Sequence, residues 1–424
     1  MKRELRDSAR DIFEAGLAAA DPWRLVEGLE LPEPDAGGRL RIFGAGKASA
    51  HLAQPIERRL AGREYSGRVI VKHGHGRPLE HIVVDEGGHP LPDEAGLHAT
   101  LRLLADLEEP DARDRIVFLL TGGASALLVA PAEGLSLGDK IDVTDLLLRC
   151  GATIQELNTV RKHLSAVKGG RLLQRMAPAR VLTILVSDVI GDDVSSIGSG
   201  PTTLDPSTFR DALDVLTRYD VVDQSPAPVV RHLRQGVSGA IAETPKPGDP
   251  VLEYAEHRLL ASNRHSLAAA ADKARALGFE TEVFEQDMVG DVHAQAARFA
   301  KALRERRRGQ PLALIAGGEL TLELSGAGSG GRNQEFALVV AREIAGLKDV
   351  VVLAAGTDGT DGPTDATGAF ADGSSWEAAR RLDLDPEALL ANNDSYHFFE
   401  SLKSLLKTGP TGTNVNDLVI GLSR

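Results

Sequence analysis

The sequence predicts an α/β protein of two domains with mostly parallel sheets. Three observations predict it. The chain has 424 residues, more than one ordinary hydrophobic core organises. Its composition, 42% hydrophobic and 26% charged, is that of a globular protein rather than a disordered one. And short apolar runs of strand length alternate with longer amphipathic stretches, the pattern of strand–helix–strand units.

The elements follow in order. Strands are expected at 40–43, 69–71, 82–84, 116–120 and 181–186, then at 313–315, 350–355 and 418–422. Most are apolar on both faces, as parallel strands covered by helices are. Helices are expected over 3–20, 47–61, 93–107, 136–149, 264–277, 291–308 and 333–345. Around 236–250 the chain reads Gly236, Ser238, Gly239 and then Thr244-Pro245-Lys246-Pro247-Gly248-Asp249-Pro250, which sustains neither helix nor central strand. That segment is expected to divide domain 1–240 from domain 241–424. A surface loop within one domain is the alternative reading.

Composition excludes several classes of function. Basic residues number 48 and acidic ones 61, a net charge of −13, without the basic surplus of a nucleic-acid binder. The start, Met1-Lys2-Arg3-Glu4-Leu5-Arg6-Asp7, mixes acids with bases and leads into no apolar stretch, so no signal peptide is expected. No apolar run approaches the ~20 residues that span a bilayer, so no membrane partner and a cytoplasmic location are expected. Cys150 is the single cysteine. It excludes an internal disulfide, suits a reducing compartment, and is expected as a small buried apolar group. The oligomeric state leaves no mark in the sequence.

In open α/β sheets, ligands bind where strands end. After the first strand come Gly44, Ala45, Gly46, Lys47, Ala48 and Ser49. Glycines allow the turn, and a helix start offers free N–H groups to an anion. Lys47 opposes the helix dipole, a small cost that a bound phosphate or carboxylate would offset. A plain strand–helix turn is the alternative. After the fourth strand, Thr121-Gly122-Gly123-Ala124-Ser125 repeats that logic, with a helix cap by Thr121 or Ser125 as the alternative. After the fifth come Ser187-Asp188 and Gly191-Asp192-Asp193. Carboxylates crowded together favour a cation, and Mg²⁺ takes few of them plus phosphate oxygens. Asx turns are the alternative.

The second half repeats the pattern. Gly317-Gly318-Glu319 follows a strand, and Gly326 to Gly331 matches G-x-G-x-x-G immediately before Arg332 and Asn333. Arg332 is a charged fork suited to phosphate or carboxylate. Gly356-Thr357-Asp358-Gly359-Thr360-Asp361-Gly362 reads as a site wall that touches metal or hydroxyls, with Asp358 the candidate ligand. A basic stretch from Asn158 through Arg161 and Lys162 to Lys168 and Arg171 lines a site or forms a solvated face. The run Arg304 to Arg308 is expected as a solvated helix end. Zinc, nucleophile-elbow, P-loop and protein-kinase motifs are absent from the sequence. Glycine cradles, Lys47, Arg332 and clustered Asp together describe phosphoryl transfer with Mg²⁺, a reaction that needs positioning and charge more than covalent chemistry.

In order and spacing these motifs resemble the glycerate 2-kinases of the MOFRL type, historically also named hydroxypyruvate reductases. The resemblance spans about residues 7 to 420. It adds Gly88-His89-Pro90-Leu91-Pro92-Asp93, Ser199-Gly200-Pro201-Thr202 and Thr413-Asn414-Val415-Asn416-Asp417 to the loops above. It departs from the family's pattern at Gly198, where Ala is expected. The resemblance implies a Rossmann-like larger domain, a second MOFRL-type α/β domain and an active site in the interdomain cleft. It implies ATP and Mg²⁺ as cofactors, D-glycerate as substrate and 2-phospho-D-glycerate as product, with Lys47 and Arg332 as the essential basic residues. Asp188 or Asp193 is expected to accept the 2-hydroxyl proton or to hold Mg²⁺ together with Asp192 and Asp358. Nucleotide contacts are expected from Gly44, Gly46, Ser49, Gly122, Gly123, Ser125, Gly317, Glu319 and Asn333.

Two other readings stand beside it. An NAD(P)H-dependent reductase of hydroxypyruvate or tartronate semialdehyde uses a glycine turn after the first strand. But its fingerprint wants an acid at the end of the next strand, where Lys72-His73 stand. A non-enzymatic sugar-phosphate-binding module needs the anion cradles but not the Asp clusters.

Overall fold

Two six-stranded sheets organise the chain, and each belongs to its own compact unit. The computed structural model describes residues 2–307 and 309–424. The units run over 26–260 and over 1–25 with 261–424, rather than 1–240 and 241–424. The expected linker therefore lies inside the first unit, as the surface-loop reading has it. There Thr244 Oγ1 donates to Asp205 Oδ2 at 3.0 Å and Asp205 N donates to Pro245 O at 2.9 Å. Proline ended regular structure here, but side-chain bonds kept the segment on its own core.

In unit 26–260 the strands are β1 (Leu40–Ala45), β2 (Ser66–Lys72), β3 (Ile82–Gly87), β4 (Arg115–Thr121), β5 (Arg180–Val186) and β6 (Ala255–Ala261). Their order is β3-β2-β1-β4-β5-β6. β1 pairs in parallel with both β2 and β4, and β4 with β5. β1 and β4 are buried almost throughout because Phe43, Phe118, Leu120 and Leu185 pack into one cluster beneath helices. The order runs outward in both directions from the β1–β4 pair. The carboxyl ends of those two strands therefore mark the point where the strand order diverges, which is where open α/β sheets have their ligand crevice. A second apolar cluster joins four helices, Leu137–Arg149, Ile154–His163, Phe209–Arg218 and Ala227–Val237.

In the other unit the strands are β7 (Glu280–Asp291), β8 (Leu312–Thr321), β9 (Val350–Gly356), β10 (Gly368–Asp372), β11 (Leu405–Leu406) and β12 (Asp417–Ser423), ordered β11-β10-β9-β12-β8-β7. This sheet is mostly antiparallel, which corrects the expectation. β12 runs against both β8 and β9, β10 runs against β9 and β11, and only β7–β8 is parallel among the described strands. Strands apolar on both faces report burial, not direction. The period of two sorts β8 between two cores: Ala313 and Ile315 face one, Leu312 and Leu314 the other. The first core is closed by the helices Lys2–Ala18 and Asn263–Ala276, with Leu5, Ile12, Phe13 and Leu267 buried. The N-terminal helix thus serves the C-terminal sheet, some 250 residues away along the chain.

Two smaller expectations also change. Cys150 is exposed, because it caps a helix at the surface. Arg307 Nη2 donates to the carbonyl of Lys348 at 2.8 Å, so the basic run is partly anchored. Arg308 and Met1 lie outside the described residues.

Candidate active site

The loops after β1 and β4 are stitched together. Lys47 N donates to Gly122 O at 2.8 Å, and Ala48 N donates to Thr121 Oγ1 at 3.1 Å. Thr121 therefore holds the neighbouring loop instead of capping its own helix. Gly46 has φ 132°, and a Cβ there would lie 2.4 Å from Thr121 O, so only glycine fits. Ser49 is fully buried, with its hydroxyl 3.4 Å from that of Thr121. Gly44 lies within β1, where a Cβ would meet Leu119 O at 2.6 Å. It lets two strands approach.

Gly122 and Gly123 form the floor of the crevice. A Cβ on Gly122 would lie 1.9 Å from Asp188 Oδ2. The Asp188 carboxylate, carried on the loop after β5, therefore rests directly on that backbone. A Cβ on Gly123 would meet the His89 ring at 2.9 Å and Lys47 Cγ at 3.1 Å. Lys47, His89 and Asp188 thus converge on two consecutive glycines. The Lys47 ammonium makes no hydrogen bond or ion pair with any described residue. Burial pushes His89 down to about 4, and the positive charges of Lys47, Lys72 and His75 add to the effect, so its ring is neutral at pH 7.

The rest of the β5 loop is built differently. Asp193 accepts from Ser195 N at 3.1 Å, Ser195 Oγ at 2.8 Å and Ser196 Oγ at 2.6 Å. Partial burial would raise its pKa, but these bonds outweigh it and hold the carboxyl below the usual range. Asp193 is a turn former, as the Asx alternative had it. Asp192 sits beside it in a left-handed turn, with φ 56°. Among the described residues no group of three or more His, Cys, Asp or Glu converges as metal ligands would. Ser125 Oγ lies 2.9 Å from Ser199 Oγ, which donates to Asn158 Oδ1 at 3.2 Å. Gly198, the departure from the family's pattern, has φ 60°, a backbone that a side chain strains.

In the other unit, Arg332 begins the helix Arg332–Glu343. Its Nε donates to Asp417 Oδ2 at 2.6 Å, its Nη2 to Asp417 Oδ1 at 3.2 Å and its Nη1 to Glu319 Oε1 at 2.7 Å. Arg332 is thus held by two carboxylates. Burial pushes Asp417 up to about 6, partly countered by Arg332, so the pair is ionised at neutral pH. The helix start is already filled by a carboxyl side chain of the same chain. Asp361 is buried there and accepts from the backbone N of Asn333 at 3.0 Å and of Gln334 at 2.8 Å. The Asn333 amide is spent on Asp361 and Asp417.

The G-x-G-x-x-G run packs on its own chain: Cβ atoms on Gly326 and Gly328 would meet Asn392 O at 2.4 and 2.5 Å. Gly317 makes room for Asn263, whose Oδ1 a Cβ would meet at 2.2 Å. Asp358 closes its own turn, accepting from Thr360 N at 3.0 Å.

One wall of the crevice was anticipated only in part: Arg161 and Lys168 belong to the basic stretch read as lining a site, and Lys140 was missed. A cavity of about 410 Å³ opens beside Gly123 and Ser125 and is lined by Lys140, Arg161 and Lys168. Lys140 sits in the amphipathic pattern of its helix and reads there as a solvated residue.

Residues 8–234 match a family described as "Domain of unknown function (DUF4147)", and residues 312–417 match the MOFRL family. The chain is 38% identical to the glycerate 2-kinase of Pyrococcus horikoshii, over 98% of each chain. It is 40% identical to a putative hydroxypyruvate reductase of Agrobacterium vitis, over 97% of this chain and 93% of that one. The crystal structure of a glycerate kinase from Thermotoga maritima superposes with a TM-score of 0.90, at 38% identity, covering 100% of both chains.

Proposed function

This chain belongs to the DUF4147–MOFRL family of glycerate 2-kinases, and from that premise we propose that it transfers the γ-phosphoryl group of ATP to the 2-hydroxyl of D-glycerate. The products are 2-phospho-D-glycerate and ADP. The observation that carries this reading is Lys47, whose stem lies on Gly123 and whose ammonium is unpaired among the described residues, beside the Asp188 carboxylate on Gly122, at the point where the strand order diverges. Phosphoryl transfer asks a protein for fixed charge around the transferring oxygens. Lys47 supplies a mobile cation for those oxygens. Gly122 and Gly123 let the phosphates approach the backbone.

Mg²⁺ fits the donor set, because an ion carried by ATP phosphates takes only one or two protein carboxylates. Asp188 would hold it, and it would neutralise charge developing between the β- and γ-phosphates. Asp193 is spent on its own turn and takes no part.

The reductase reading has a relative's printed name behind it. Yet β2 ends in Lys72, not in the acid that would hold a ribose.

The test is direct. Purified protein is mixed with D-glycerate and MgATP, and the product is identified by phosphorus NMR beside an ADP-coupled rate. A 2-phosphoglycerate signal that EDTA abolishes is the expected result. No phosphoryl transfer, with NAD(P)H consumed on hydroxypyruvate, overturns the reading.

A further inference from the structure

We propose that Lys140, Arg161 and Lys168 form an anion-binding subsite that holds one of the two anionic substrates in the cavity beside Gly123. This rests on the kinase reading above for the identity of those substrates, but not for the existence of the subsite.

The argument begins with burial. Lys168 is 1% exposed and Lys140 is 7% exposed. Each ammonium donates one hydrogen bond, to a carbonyl: Lys140 to Leu164 O at 3.1 Å and Lys168 to Gly198 O at 3.3 Å. Neither forms an ion pair with a described carboxylate. The Arg161 guanidinium makes no hydrogen bond or ion pair with any described residue. The one carboxylate lining the cavity, Asp145, pairs instead with Arg149 at 2.6 Å. Buried cations are costly unless a counter-charge and hydrogen bonds compensate them. Three cations in one cavity whose single lining acid is paired with Arg149 are the arrangement that an anion completes.

Two further observations agree. Burial pushes Lys140 down to about 7, with Arg161 repelling it, and depresses Lys168 well below its usual range, with Lys140 and Arg161 adding to the effect. The three charges therefore act on one space. The frame around them is also rigid. Gly169 N donates to Ser199 O at 3.0 Å and Gly170 N to Gly200 O at 2.7 Å, which fixes the chain immediately after Lys168 on the loop that its ammonium contacts. A preorganised cluster of donors binds without ordering cost.

The ligand chemistry is a carboxylate or phosphate group. The remaining wall is apolar, with Leu91, Ile141 and Leu148, so the anion carries a carbon skeleton or a base against it. The two sources are the glycerate carboxylate and the nucleotide polyphosphate.

Arg161→Met is the primary variant, because Arg161 makes no bond whose loss would unfold the chain. Arg161→Lys keeps the charge, and Lys140→Met probes the second cation. The readouts are kcat and KM for each substrate separately, and the Tm shift produced by D-glycerate, by ADP and by pyrophosphate. Arg161→Met should raise KM for one substrate about tenfold or more while kcat changes less, and should shrink that ligand's Tm shift; Arg161→Lys should recover part of both. A rise confined to glycerate assigns the carboxylate, and one confined to ATP assigns the polyphosphate. Unchanged KM values and unchanged Tm shifts in both Met variants overturn the subsite. Should the parent show no turnover, a pyrophosphate or glycerate Tm shift that Arg161→Met abolishes still supports the subsite, and only the kinase reading fails.

Discussion

Gly122→Ala isolates what Asp188 does. The added Cβ would stand 1.9 Å from Asp188 Oδ2, 2.5 Å from Cγ and 2.9 Å from Oδ1, and no other group lies as close. Gly122 does not adopt a positive φ, so the backbone accepts alanine. The strain falls on a side-chain end, which can move, and the fold is retained. To reach ordinary contact the carboxylate must retreat by roughly 1 to 1.5 Å. A misplacement of ~1 Å in a reacting assembly costs about 10²-fold in rate, or ~2.7 kcal/mol of barrier. The assay is ADP-coupled turnover on D-glycerate, with circular dichroism melting as the control for folding. The double variant Gly122→Ala/Asp188→Ala should be no slower than Asp188→Ala alone, since both changes act through one carboxylate. Parent-like kcat in Gly122→Ala would refute the assignment, and additive losses would show that the two positions act independently.

Four more outcomes are expected. Lys47→Ala should lose ~10²-fold or more in kcat, the scale of one preorganised charge contact, with an unchanged Tm because its side chain makes no described bond; a rate within threefold of the parent would place Lys47 outside the chemistry. Arg332→Met strands the buried Asp417 carboxylate and should cost ~3–5 kcal/mol of stability in denaturant titration; adding Asp417→Asn should recover most of it, and no recovery would mean that the pair is not what holds the helix start. Lys140 has a folded pKa of about 7 against 10.5 ordinarily, so the unfolded chain binds the extra proton between those values and this residue's contribution to stability rises with pH across that window. The advantage of Lys140→Met over the parent in Tm, present at pH 6, should therefore narrow towards pH 10, and a constant gap would show that Lys140 does not titrate there. Phe13→Ala should cost ~3–5 kcal/mol, because Phe13 is fully buried in the C-terminal sheet's core; a parent-like unfolding curve would detach the N-terminal helix from that unit.

Much of the fold was legible. Runs such as Ile116–Leu120 and Val350–Ala355 became central strands because apolar residues on both faces have nowhere else to go. β7 was not legible: Glu280, Glu282 and Glu285 make it read as a polar loop, and a register irregularity breaks its period. Within the proposed site, Gly46, Lys47, Gly122 and Asp188 stand out in the sequence because glycine, lysine and aspartate after strands are locally unusual. Gly44, Gly317, Gly326 and Gly328 stand out for the same reason, and in the structure each makes room for the chain itself. A glycine needed for chain packing and one needed for a ligand look alike in sequence.

By itself, the sequence determined the layered α/β class, the places where strands end and the family, since these depend on local period and on motif order. Only the tertiary structure decided which charges are spent and which are available. Arg332 proved to be occupied by Asp417 and Glu319, and Asp361 fills the helix start expected to take an anion. Lys140 joins Arg161 and Lys168, which come from another stretch of the chain, in one cavity whose single acid is paired with Arg149. Electrostatic pairing depends on distance in space and on burial, and neither is written in the spacing of residues along a chain.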